Sequence, residues 1–201
     1  MVEIKSKEKT GKTKQCKIKI VKNGPYLVSG NVPLSEKIIT PKGKQYSYEQ
    51  GRKLPQAESY ALCRCGRSKN PPFCDGAHSH FPFDGTETAS RKPFLERAEK
   101  YEGPEIDLLD DGRCAFARFC HRNEGNVWEL VEASDTPGFK EAALIAANDC
   151  PTGRLVAVAK DGTLLEPVHE PAIEILQDPQ KNAGGPIFVK GGIPIEAADG
   201  S

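Results

Sequence analysis

The sequence predicts an α+β chain in two parts, a small β-rich domain with a duplicated hairpin and a βαβ unit. Three observations predict it. Short alternating segments broken by Gly and Pro begin at Lys17, where "KIKIV", "YLVSG" and "NVPL" are separated by turns. A hairpin pattern is stated twice: "GPIFVKGGIPIEA" at 185–197 repeats "GPYLVSGNVPLSE" at 24–36, with Gly24/Gly185, Pro25/Pro186, Val28/Val189, Gly30/Gly191 and Pro33/Pro194 identical. Between the copies, residues 137–148 read as a helix. Pro137 stands at its start, and Phe139, Ala142, Ala143, Ala146 and Ala147 share one face.

In chain order, residues 1–14 form a basic tail, residues 15–100 a β-rich domain, and residues 101–170 the βαβ unit. Residues 171–201 then form a second hairpin, the repeat of 17–36. Up to residue 22 there are eight lysines against two glutamates, a pattern that suits a solvated tail. "GKT" at 11–13 lacks the upstream glycine of a phosphate loop, Ser6 standing there instead. "IEI" at 173–175 answers "IKI" at 18–20, so the two hairpins are expected side by side in one sheet. In the middle unit, "EIDLL" and "VWELV" read as strands, and "CPTGRLVAVAKDGTLL" as turn, strand, "DG" turn and strand, giving β–loop–β–α–loop–β over roughly residues 104–166.

The chain has 201 residues, and its 28 acidic and 28 basic side chains cancel, which argues against a nucleic-acid coat. It holds no apolar run of about 18 residues to span a bilayer and no apolar N-terminal stretch of signal type. A cytoplasmic location is expected. Seven cysteines in a reducing compartment read as metal ligands or free thiols before disulfides.

"CRCGRSKNPPFCDGAH" at 63–78 concentrates three cysteines and a histidine. A zinc knuckle, a disulfide with a spare thiol and an iron–sulfur cluster all compete for it. Structural zinc usually shows longer C-x2–4-C arms, and C-x-C lacks the redox C-x-x-C form. A one-residue gap puts the Cys63 and Cys65 thiolates on one side of an extended strand, suited to one iron. Cys74 and His78, at i and i+4 on a helical turn, suit a second. Asp75 can cap that turn, and Pro71 and Pro72 stiffen the loop.

The same stretch resembles the CDGSH (NEET-type) iron–sulfur signature, C-x-C-x2-[ST]-x3-P-x-C-D-G-[STA]-H. Cys63, Cys65, Ser68, Pro72, Cys74, Asp75, Gly76, Ala77 and His78 fill it. The resemblance implies a [2Fe–2S] cluster on Cys63, Cys65, Cys74 and His78, supported by Ser68, Asp75 and Gly76. It implies electron transfer, cluster transfer or redox sensing toward a redox or cluster-acceptor protein. It also implies two sites related by a two-fold, in a homodimer or in a longer tandem chain, beneath a shared β-cap that the two β-cap hairpins would form; by the tandem pattern a second motif is expected beyond Ser201, the alternative being that the second site was lost. An imidazole ligand raises the potential above that of an all-thiolate cluster and can be protonated in mild acid.

Cys114, Cys120 and Cys150 form a second group, C-x5-C-x29-C-P, with Ala117 where a bacterial ferredoxin run has its middle cysteine. That pattern is similar to single-cluster ferredoxin-like domains. It implies a [3Fe–4S] site, or [4Fe–4S] if His121 is the fourth ligand; buried thiols without a cluster are the alternative. Arg113, Arg118 and Arg122 are expected to offset the cluster's charge, while Phe116 threatens to fill its space. Cys16 reads as a half-buried thiol, and His80 and His169 lack partners at ligand spacing. The expected function is an iron–sulfur electron carrier or cluster donor and not an enzyme. The alternatives are an oxidoreductase subunit, though G-x-G-x-x-G is missing, and a zinc-stabilised interaction module.

Overall fold

A computed structural model describes residues 15–201. The basic tail expected over 1–14 lies outside the described residues. The strands are β1 (Lys17–Ile20), β2 (Tyr26–Ser29), β3 (Leu34–Lys42), β4 (Gln45–Gln50), β5 (Ser59–Leu62), β6 (Glu99–Tyr101), β7 (Ile106–Asp110), β8 (Leu155–Ala159), β9 (Ala172–Asp178), β10 (Ala183–Lys190) and β11 (Ile195–Glu196). The helices are α1 (Phe94–Arg97), α2 (Val127–Glu132) and α3 (Phe139–Asn148), with 3-10 turns at Ala77–Ser79 and Pro179–Lys181. The class is α+β, as the patterning predicts. No helix of the described residues is long and apolar enough to cross a membrane.

The compact units are not consecutive segments. One comprises residues through Val32, Ala57–Gly85 and Pro194–Ser201; the other comprises Pro33–Gln56 and Thr86–Ile193. The first unit holds one sheet in the order β11-β1-β2-β5, closed over Ile18, Val28, Val32 and Leu62. The second holds a sheet in the order β10-β9-β3-β4 and another in the order β6-β7-β8.

The hairpins β1–β2 and β9–β10 therefore lie in different sheets, and the expectation that they stand side by side in one is corrected. The repeat nevertheless governs the pairing. Ile18 pairs with Val28 in one hairpin, and the matching Ile173 pairs with Val189 in the other. Each hairpin then gives away the strand that follows it. β3 runs parallel to β9 with Leu34 opposite Ile173, while β11 runs parallel to β1 with Ile195 opposite Ile18. The Ile18 amide donates to the Pro194 carbonyl and the Ile173 amide to the Pro33 carbonyl, both at 2.9 Å. Gly30 (φ 93°) and Gly191 (φ 73°) begin the two crossings. A Cβ at Gly30 would fall 2.8 Å from the Cys16 backbone, and one at Gly191 2.4 Å from Pro171, so left-handed backbone and close approach both demand glycine.

In the middle unit β7 and β8 are antiparallel, and α2 and α3 pack over a core that includes Ile106, Leu108, Leu130, Val131, Ala143, Ala146 and Ala157. "VWELV" is helix α2 and not a strand. Asn126 accepts from the amides of Trp128 and Glu129, and the Glu129 carboxylate accepts from the Asn126 amide, a reciprocal cap that starts a helix. β8 is followed by one bridge, Val158 to Leu164, where a fuller strand is expected. The helix at α3 forms as patterned, with Ala143, Ala146 and Ala147 buried.

Candidate metal centres

The first ligand set grows out of β5. A Leu62–Phe73 bridge continues that strand, the Cys63 amide donates to the Pro72 carbonyl at 2.7 Å, and the Cys74 amide donates to the Ala61 carbonyl at 2.9 Å. These bonds bring both ends of the loop together. Within it the side chains form two pairs: Cys63 Sγ lies 3.7 Å from Cys65 Sγ, and Cys74 Sγ lies 3.4 Å from His78 Nδ1. All four residues are half-buried.

The loop is tied by its own polar side chains. Ser68 Oγ donates to the Phe73 carbonyl at 2.6 Å and accepts from the Asn70 amide. Asp75 takes the Lys69 amide at 2.8 Å on one oxygen and the Ala77 amide at 3.0 Å on the other. His78 sits in a 3-10 turn, not an α-helix, and the turn begins at Gly76 (φ 85°); Asp75 stitches the loop to that turn without occupying the cap position itself. Those two amides hold the Asp75 carboxyl below its ordinary range. Burial pushes the Cys63 thiol up, but the backbone amides of Ser68, Gly66 and Cys65 and the Cys65 thiol outweigh it, so the net direction is down. This environment favours thiolate.

Two arginines within the motif escaped the sequence reading. Arg64 lies over the rings of Tyr26 and Phe83, 5.5 and 5.9 Å from their centroids, and Arg67 lies 4.3 Å over Phe81. Their place beside the cysteines, as C-R-C-x-R, was the available signal. His78 and Ser79 border an open groove with Phe81, Pro82 and Phe83.

The second set also converges. Cys114, Cys120 and Cys150 line one small cavity with Ala117, Arg118, Phe119, Trp128, Thr152 and Arg154. Cys114 is exposed, and the other two are half-buried against the core. Burial, with the neighbouring Cys150 and Cys114, raises the Cys120 thiol. Phe116 does not fill the space. It is 76% exposed, its amide donates to Cys114 Sγ at 3.2 Å, and it does not line the cavity. His121 borders a different groove with Lys44, Asn123 and Glu129, so the structure does not bring it to the three cysteines.

The expected arginines are spoken for. Arg113 pairs with Asp111, Arg118 with Asp178, and Arg122 with Asp149. Their charges are therefore already offset by carboxylates and do not by themselves call for a cluster. Arg118 still borders the cavity, and its buried Nε has no hydrogen-bond partner. A buried orphan donor beside three thiols fits an acceptor bound there. Arg154 and Trp128 were not anticipated from the sequence.

Cys16 donates weakly to the Gly30 carbonyl at 3.4 Å, and His169 meets the Phe188 ring. Among the described residues, no group of three or more His, Cys, Asp or Glu side chains is arranged to hold a single metal ion.

No curated protein and no solved structure matches this chain. Two family models do. Residues 23–79 match the iron-binding zinc finger of CDGSH type, and residues 101–160 match the divergent 4Fe-4S mono-cluster.

Proposed function

Because the chain joins a CDGSH-type iron-binding domain to a divergent 4Fe-4S mono-cluster domain, we propose that it is a two-centre electron carrier or cluster donor and sensor, not a catalyst. The observation that carries this reading is the split of the first ligand set into two pairs, Cys63 with Cys65 and Cys74 with His78. Two pairs suit two irons, whereas structural zinc draws four ligands around one point. Three thiols and one imidazole fit a [2Fe–2S] group in number and softness. Bound there, that group would supply one-electron storage.

The chain's own residues do the rest. The C-x-C pair holds one end from the strand, and the 3-10 turn brings His78 to the other. Ser68 and Asp75 fix the loop so that the four donors need little rearrangement. His78 is the ligand on the groove side, where a docking protein reaches it first. In the second cavity we assign Cys114, Cys120 and Cys150 as ligands. Three donors favour [3Fe–4S], with [4Fe–4S] requiring a ligand other than His121. The partner is a redox or cluster-acceptor protein, and pairing is two-fold, as a homodimer or in a longer tandem chain. We place the protein in a reducing, cytoplasmic setting, where cysteines serve as ligands before they form disulfides.

The test is a visible spectrum with iron and sulfide counts on protein purified without air. Brown protein with at least two irons and two sulfides per chain is expected. Colourless protein holding zinc would overturn the reading.

A further inference from the structure

Two arginines border the second cysteine cavity, and each is fixed by its own carboxylate. Arg154 gives Nε to Asp110 at 2.7 Å and Nη2 to the other Asp110 oxygen, and its guanidinium lies 5.6 Å over the Trp128 ring. That leaves one nitrogen not engaged by Asp110, in a side chain only 13% exposed. Arg118 gives its two terminal nitrogens to Asp178, at 2.7 and 3.0 Å, and stacks 4.4 Å over Tyr46. Its Nε is buried and donates to nothing. Arg118 also has a left-handed backbone (φ 68°), a conformation that is costly for a long side chain.

We propose that Arg118 and Arg154 are positioning residues for the second centre, two preorganised N–H donors that favour the electron-rich state of whatever the cysteines hold. This rests on reading the cavity as a cluster site. Both groups are locked before anything binds, since their carboxylates and rings determine where the remaining N–H bonds sit. Hydrogen bonds to cluster sulfurs and nearby positive charge are two recognised means of setting a cluster's potential. Cys114 interacts with Arg154 by charge and hydrogen bond, which is consistent with this placement. The neighbouring Arg113 and Arg122 pair with carboxylates and do not border the cavity. The assignment is therefore selective.

The test is an EPR-monitored redox titration of the full-length holoprotein with Arg154→Gln, Arg118→Gln and Arg113→Gln, the last as a control of equal charge loss. Removing a donor and a positive charge makes the added electron less favourable. Arg154→Gln and Arg118→Gln should each shift the one-electron equilibrium of the second centre about tenfold toward the oxidised form, equivalent to about 59 mV. Arg113→Gln should leave it near the parent's. Arg154→Lys keeps charge and should recover most of the shift, a rescue that lost packing would not give. If Arg118→Gln does not fold, because Asp178 is left unpaired, the Arg154 pair of variants carries the test.

If parent and Gln variants titrate together, the assignment falls while the cluster reading stands. If the parent holds iron and sulfide for the first site alone, the cluster reading of the cavity falls and this assignment goes with it.

Discussion

At His78 and Asp75 the loop makes opposite uses of polar side chains. His78 borders the groove and is left for a ligand by the proposal above, whereas Asp75 is spent on the Lys69 and Ala77 amides. Changing His78→Cys should keep a cluster and lower its potential, because thiolate donates more electron density. If the variant titrates at the parent's potential, His78 is not a ligand. Asp75→Asn should release the cluster a few-fold faster at neutral pH. The Asp75 carboxyl is lowered in the folded loop, so its stabilisation is complete above the ordinary aspartate value near 3.9 and is lost as pH falls through the folded value. The gap between parent and Asp75→Asn should hold constant from neutral pH down to about pH 4 and close only below it. A gap that closes already near pH 6 would contradict that account. The first site was legible at this scale because its donors fall within sixteen consecutive positions. The second was legible only in its cysteines. Arg154 lies far from Cys114 in sequence, and only folding brings it to the same cavity, while the adjacent Arg113 turns away to Asp111.

Among the elements, α2 is where the patterning misled. "VWELV" is short and apolar enough to pass for a strand, and period alone does not separate the two at that length. The deciding signal stood one residue earlier, in Asn126 with Glu129 three positions on. Asn126→Ala should destabilise the middle unit by about 1 kcal/mol, read as a lower denaturant midpoint with unchanged slope. No shift would mean the cap is dispensable and core packing alone sets the helix. α3 needed no such help, since a spaced row of alanines faces the core over ten residues. β3 extends well past the expected "NVPL" and folds back as β4, because Ile39 is buried beside Phe119 and Leu176 and anchors the strand's far end.

For the molecule as a whole, the repeat was visible but its consequence was not. Five identities foretold two equivalent hairpins, yet no local pattern announces that each passes its third strand to the other's sheet. Deleting residues 194–201 tests the exchange. It removes the Pro194 acceptor and the Glu196 ion pairs with Lys17 and Lys19, leaving the Ile18 amide without its partner. A loss of about 1–3 kcal/mol is expected, with faster hydrogen exchange at Ile18. The Ile173 amide, bonded to Pro33, serves as the internal control and should stay protected. Equal protection of Ile18 in both proteins would show that β11 contributes nothing to its sheet. The exchange also sets a schedule for biosynthesis. The loop bearing the first ligands leaves the ribosome early, but the strand that completes its sheet follows on the order of 130 residues later, roughly 10 s at ordinary translation speeds. Throughout that interval the sheet whose other edge carries the loop with Cys63, Cys65 and Cys74 is open on its β1 side.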